Sequence, residues 1–402
     1  MFRSISSFLA IIAVAFSFLL APNKAMACED PPPTLLALYR VSSEIHVARY
    51  EGEDRGGIVE QGDDYVITDV HKRFSIISSL KGSHQGSFVS TEQQYKYTGS
   101  EAVDGEDAEH GHDPEKLEAG DTVLLFLKRS SEDNKLVLSN YQGAAKKLSD
   151  KVLASYTKAI EELNSIHAMR QGQDEALVEW LVQRAVDPNT RREGAFELLT
   201  GFQTIDWKEM QERQIKEKLA RGEELEEWEK PGYEEPSEDG EYFDNTPYAR
   251  KLTDRQKAIL LDLAMTLKPE KLGDSEYITF NEGDSHLIEL AARWGDERYA
   301  GFLLEQAREK KYYEYARYQF ISQAASILKD DEAKTLAEEY GNVYYYEDTD
   351  KIEDRLAENA LPEVTVTVKP GSTFGDLKNA ILERFFSRCG KVLATSGKTA
   401  AS

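Results

Sequence analysis

The most extended apolar run of the chain lies at its start, from Phe8 to Leu20, with Arg3 before it and Pro22, Asn23 and Lys24 after it. A helix that spans a bilayer needs about 20 consecutive apolar residues, so the run is too short to span and has the length of a secretory leader core. Ala25-Met26-Ala27 supplies the small-x-small pattern of a cleavage site. A signal peptide over residues 1–27 and a mature chain beginning at Cys28 are therefore expected. An uncleaved anchor is the alternative that the length argues against. No later run is apolar enough to predict a transmembrane helix.

Beyond the leader the pattern changes twice. Between residues 29 and 145, β-branched and aromatic positions cluster in short runs bounded by Gly, Asp and Ser. They predict strands at Glu44 to Tyr50, Tyr65 to Ile77, Ser87 to Tyr97, Asp121 to Lys128 and Lys135 to Tyr141, after a short apolar helix at Leu35 to Tyr39. Five strands with a short helix suit a small closed barrel of the OB type, whose end strands pair and leave no edge. From Leu148 the apolar positions fall at three- to four-residue intervals, with Val152, Tyr156, Ile160 and Leu163 on the same helix face. Further helices are predicted at Ala176 to Val186, Arg191 to Leu199, Asp254 to Leu267, Ser285 to Trp294, Asp296 to Lys310, Tyr312 to Leu328 and Glu332 to Tyr340. Thr253 and Gln256 have the spacing of a capping box. Near the C-terminus, Val364, Val366 and Val368 alternate with Thr365 and Thr367, which predicts a strand over Glu363 to Lys369. A lone strand needs partners, so it is expected to join the N-terminal sheet, with a helix from Phe374 to Arg388 after the Pro370-Gly371 turn.

Two stretches carry family resemblances. In Leu181 to Leu199 a helix ends at Asp187-Pro188 and Arg191 opens the next, which resembles a HEAT-type repeat; Ala292 to Tyr299 gives a looser second instance. The resemblance implies helix pairs stacked into a curved solenoid, each pair covering the apolar face of its neighbour. A mature N-terminal Cys28, strands, and then Gly120-Asp121-Thr122-Val123-Leu124-Leu125-Phe126 resemble the netrin-like and metalloprotease-inhibitor barrels. That likeness implies an OB-type barrel and, for Cys28, a role in chelating a protease's zinc, although the Cys-x-Cys start of those families is missing. Together these readings predict an α+β, multidomain chain. An OB-like β-barrel domain over 28–146 is followed by a HEAT-like α-helical domain over 147–345 with an acidic insertion at 208–247. A C-terminal strand–helix segment over 346–394 and a disordered tail over 395–402 complete it.

Charge narrows the function. Among 402 residues, 49 Lys and Arg face 73 Asp and Glu, a net charge of −24. Such a chain repels nucleic acid and anionic membranes at long range. The two cysteines, Cys28 and Cys389, reach an oxidising compartment if the leader works, where one bridge between them would stabilise by up to about 5 kcal/mol. Lipidation of Cys28, as in bacterial lipoproteins, free thiols and an intermolecular bond are its rivals. No Gly-x-Ser-x-Gly elbow, phosphate loop, dinucleotide fingerprint or His-Glu-x-x-His helix occurs. Asp104, Asp107, His110, His112 and Asp113 form a cluster that suits weak capture of a divalent cation, with a solvated hairpin loop as the plainer reading. No other cofactor is expected. Tyr312, Tyr315, Tyr318, Tyr344 and Tyr345 are the candidate binding residues, because tyrosines on one face of a helical array can grip a peptide or stack on sugars. The function expected is an exported, periplasmic or extracellular, non-enzymatic bacterial protein that binds a protein or extended polymer. A hydrolase using carboxylates in an inter-domain groove is the alternative, and protease inhibition through Cys28 a third.

Overall fold

The computed structural model describes residues 33–62, 65–97, 117–131, 133–139, 143–200, 215, 218, 248–273, 275–352 and 364–399. From Thr34 onward the chain forms one compact unit. It is mixed α+β, with an N-terminal antiparallel sheet followed by helices. The signal-peptide segment, Cys28, the Asp104 to Asp113 cluster and all but two residues of the acidic insertion lie outside the described residues.

The first helix, α1 (Leu35–Val41), is capped by Thr34, whose Oγ1 accepts from the Ala37 amide at 3.2 Å. Leu35, Leu36 and Leu38 are fully buried. Lys81 closes its other end by donating to the carbonyls of Tyr39 (2.8 Å) and Ser42 (2.6 Å). The sheet then forms from β1 (Glu44–Gln61), β2 (Tyr65–Lys81), β3 (Ser87–Tyr97), β4 (Thr122–Arg129), β5 (Leu136–Leu138) and β6 (Ala145–Lys147). Its order is β3-β2-β1-β4-β5, and β6 also pairs with β4. The backbone of Phe126 bonds both Ser139 and Ala144, so β5 and β6 run end to end along one edge of β4.

The path ends at β3 on one side and at β5 and β6 on the other, so the sheet is open and the expected closed barrel is not formed. Closure needs full-length end strands that meet, and on the β4 side the sheet ends in two three-residue fragments. Helices take the place of further pairing, since α1 packs on β4 and the following helix on β2. β4 is buried from Val123 to Leu127 because both of its faces are covered. Leu124 and Phe126 join the helical core, while Val123, Leu125 and Leu127 meet Ala48, Tyr50, Phe74 and Phe88 on the other face.

The helices are α2 (Asp150–His167), α3 (Gln173–Val186), α4 (Arg191–Thr200), α5 (Asp254–Ala264), α6 (Glu282–Ala292), α7 (Glu297–Arg308), α8 (Glu314–Leu328), α9 (Asp331–Gly341) and α10 (Phe374–Thr399). A small hairpin of β7 (Glu270–Lys271) and β8 (Ile278–Thr279) separates α5 from α6. The predicted capping box is present: Thr253 Oγ1 accepts from the Gln256 amide at 3.3 Å and Gln256 Oε1 from the Thr253 amide at 2.9 Å. Helix α3 packs on α4, α5 on α6, α7 on α8 and α9 on α10. Across these pairs α3 meets α5, α4 meets α6, α6 meets α8, and α8 meets α9. The α3–α4 approach is close enough to require Gly194, where a Cβ would stand 2.3 Å from the Ala185 amide nitrogen. One hydrophobic core runs from Leu35 through these helices to Cys389, and it is continuous across the predicted division at 146–147.

The predicted C-terminal strand is absent. Residues 364–369 are irregular and pair with no sheet. The alternation serves packing, since Val364, Val366 and Val368 lie against the helical core. Thr365 is held by side chains, its amide donating to Glu339 Oε1 at 2.7 Å and its hydroxyl accepting from Arg384 at 3.3 Å. Helix α10 continues past Arg388 to Thr399, into the segment expected to be a disordered tail. On it Cys389 is a fully buried free thiol, away from any bridge among the described residues. Among those residues no helix is long and apolar enough to cross a membrane.

Candidate functional site

Two places concentrate chemistry. The first is where α4 meets the N-terminal helix and the sheet, at the stretch that carries the HEAT resemblance. Glu193 is buried and accepts from the Leu35 amide (2.6 Å), the Tyr156 hydroxyl (2.6 Å) and Lys146 Nζ (3.1 Å), with Arg192 Nη1 at 3.6 Å. Burial alone would raise its pKa, but Lys146, Arg192 and these donors hold it below the usual carboxylate range. Glu197 follows one turn later and accepts from the Thr34 hydroxyl. Desolvation dominates there and pushes its carboxyl up to about 7, with Glu193 adding to the rise against Thr34, Arg40 and Arg192.

Two carboxyls driven apart in pKa are what acid–base chemistry asks for. Access decides the matter here, because Glu193 and Glu197 are only 1% and 4% exposed. A surface groove of about 460 Å³ lies along α2, lined by Val47, Ser78, Thr157 and Lys158 among others, and neither glutamate reaches it. The surrounding arginines are structural too. Arg191 donates to the carbonyls of Ala185 (3.2 Å) and Val186 (3.3 Å) at the end of α3 and pairs with Asp284 on α6. Arg192 reaches Glu282 at 2.8 Å. The junction ties α1, β6, α2, α4 and α6 together, with both glutamates closed off from solvent.

The second place is the tyrosine surface at α8 and the turn after α9. Tyr312 does not belong to it. Its ring is buried between Phe280 and Phe320, with centroids 6.0 and 5.1 Å away, and its hydroxyl donates to Gln306. The residue precedes α8 and faces the core, whereas Tyr315 and Tyr318, three apart, share an outer face of the helix. The turn after α9 folds back over that face, with the Tyr344 amide donating to the Tyr340 carbonyl at 2.9 Å. Tyr318 and Tyr344 then stack at 5.3 Å and 7° from parallel. Gly341 makes room, because a Cβ there would stand 2.6 Å from the Tyr318 ring.

Around this stack, Tyr315 lies 6.0 Å and Tyr345 5.8 Å from Tyr344. The cluster continues through Tyr346, 4.4 Å from Tyr345, to Phe374 on α10. Tyr315 and Tyr345 are 55% and 61% exposed. Four of the five candidate tyrosines thus come together and the fifth is core. Burial and the Tyr346 hydroxyl raise the pKa of Tyr345, so the phenol is neutral at physiological pH. A separate stack of the half-buried Tyr277 on the exposed Tyr313, at 4.0 Å, had no periodic signal in the sequence because its two rings come from different segments.

Among the described residues, no group of three or more His, Cys, Asp or Glu is placed to hold a metal ion. Glu44 and His46, two apart on one face of β1, stand 3.3 Å from each other. The Glu44 carboxylate is already occupied by the amides of Ser83 (2.9 Å) and His84 (3.0 Å). The alternation Glu44-x-His46 was the signal for this pair, and its use is structural. Compared with known proteins, the chain matches no family model, no curated protein and no solved structure.

Proposed function

We propose that the chain is an exported, non-enzymatic binding protein whose contact surface is the tyrosine cluster of α8 and the turn after α9. The exposure of Tyr315 and Tyr345 carries this reading, because large rings held on a rigid support and left uncovered are the usual anchors of recognition surfaces. The pairwise succession of α3 to α10 supports the stacked, HEAT-like arrangement that would present such a surface. The leader-like sequence pattern over residues 1–27 supports export and a periplasmic or extracellular setting. Glu193 and Glu197 are the best residues a hydrolase could use, and their burial under α1 and β6 favours binding over catalysis.

The test is site-specific crosslinking in cells that export the full chain. A photoreactive benzoylphenylalanine replaces Tyr345 in one experiment and Ile58, on the far end of β1 and 62% exposed, in another. A discrete crosslinked product from position 345 and none from position 58 is expected. Equal yields from the two positions would refute the tyrosine surface as the contact site.

A further inference from the structure

The tyrosine surface has a sign. Glu338 on α9 stands three residues before Gly341, which packs on the Tyr318 ring, and Glu347 follows Tyr346 directly. Both glutamates are exposed. Two cations beside the patch are used elsewhere: Lys378 pairs with Asp348 at 2.7 Å, and Arg317 pairs with Glu314 and donates to the Ala307 carbonyl. Lys334, four residues before Glu338, makes no ion pair with it. Among the described residues neither Glu338 nor Glu347 meets a cation, and no cation lies over the ring of Tyr315 or Tyr345. Elsewhere the molecule does place cations on aromatic rings, with Lys81 4.1 Å from the Tyr39 centroid and Arg308 4.6 Å from that of Phe386.

Resting on the binding role proposed above, we infer that the partner is a cationic polypeptide segment, whose Arg or Lys side chains lie on Tyr315 and Tyr345 while Glu338 and Glu347 pair with their charges. Ring faces attract cations, and a carboxylate at the rim strengthens the attraction. The net charge of −24 draws such a segment in from a distance. A flat sugar fits less well, because Tyr318 and Tyr344 cover each other's faces and do not form an open platform. The groove beside α2 makes no comparable selection, since it mixes Lys158 with Asp150 and Glu161.

The experiment titrates the mature full-length chain with three probes: a labelled twelve-residue peptide rich in Arg and Lys, an acidic peptide of the same length, and a neutral glucan. Three double variants accompany the wild type, with circular dichroism verifying that each is folded. Tyr315→Ala/Tyr345→Ala leaves the charge unchanged, Glu338→Gln/Glu347→Gln removes the rim, and Glu53→Gln/Glu60→Gln removes the same charge from the distant exposed part of β1. Binding of the basic peptide is expected to weaken about tenfold in the tyrosine variant and several-fold in the rim variant, with no change in the β1 variant. The acidic peptide and the glucan should not bind. Equal binding of the basic peptide to wild type and tyrosine variant would mean general attraction to an acidic protein, and would overturn the inference. Tyrosine-dependent binding of the glucan without binding of the basic peptide would also overturn it, while leaving the tyrosine surface itself in place. Absence of any tyrosine-dependent binding, together with equal crosslinking from positions 345 and 58, would remove both readings.

Discussion

Replacing Glu197 by Gln tests the electrostatics of the buried junction with one nearly isosteric change. The amide oxygen can still accept from the Thr34 hydroxyl, so the packing of α1 on α4 is kept while the titration is removed. In the unfolded chain the Glu197 carboxyl titrates near 4.5, and in the folded protein burial pushes it up to about 7. A raised carboxyl favours the folded state fully below the unfolded pKa, and that contribution is lost as pH rises through the folded pKa. The shift of about 2.5 units, at roughly 1.4 kcal/mol each, amounts to about 3 kcal/mol lost between pH 4.5 and pH 7 and above. Glu193 runs the other way: held low by Lys146 and Arg192, it contributes stability above its unfolded pKa that is lost on acidification. The wild-type profile mixes the two, and the difference between wild type and Glu197→Gln isolates one of them. Urea unfolding followed by tryptophan fluorescence has a probe in Trp180, buried and donating to the Ala159 carbonyl at 3.1 Å. The variant should gain about 3 kcal/mol over wild type on going from pH 4.5 to pH 8.5. An unmatched amide N–H would shift both pH values alike, so the change in the difference is the readout. Parallel profiles, with the difference moving by less than about 1 kcal/mol, would refute a buried, raised Glu197.

Gly194→Ala should destabilise by about 1–3 kcal/mol in the same assay, because the added methyl meets backbone of α3 that cannot move aside cheaply. Tyr312→Ala should cost about 3–5 kcal/mol as a buried aromatic, whereas Tyr345→Ala should stay within about 0.5 kcal/mol of wild type. If the two substitutions cost the same, the division of the tyrosines into core and surface is wrong. Burial, with Asp330 nearby, pushes the Cys389 thiol up to about 12. Peptide mapping after alkylation at pH 8 should therefore find Cys389 unmodified in the folded protein and modified in urea, and labelling of the folded protein would contradict its burial.

Residue patterning determined most of the secondary structure, and the reason differs for helices and strands. Helices α2 to α9 begin and end within a few residues of where their apolar spacing and caps place them, because a helix's hydrogen bonds are internal to the segment. Strands bond to other segments. β1 runs to Gln61 through Glu51-Gly52-Glu53-Asp54-Arg55-Gly56-Gly57, a stretch with no strand signal of its own. Pairing with β2 holds it there, with Glu53 opposite Lys72 and Asp54 joined to Arg73. The same dependence removed the strand expected at 363–369, whose alternation is genuine but is spent on packing against the helical core, away from the sheet. Whether the sheet closes was likewise beyond local pattern, since closure depends on how far the end strands extend and what covers them.

The candidate sites divide in the same way. The tyrosines stand out in the sequence by abundance, and only the fold separates Tyr312, turned into the core against Phe280, from Tyr315 and Tyr345, left outside. Glu193 and Glu197 are ordinary members of an acidic chain until α4 carries them beneath α1 and β6. The sequence alone determined the acidity, the leader-like start and the helical period. The tertiary structure decided which charges lose their water and which rings keep theirs, because solvation belongs to the surroundings that distant segments bring together.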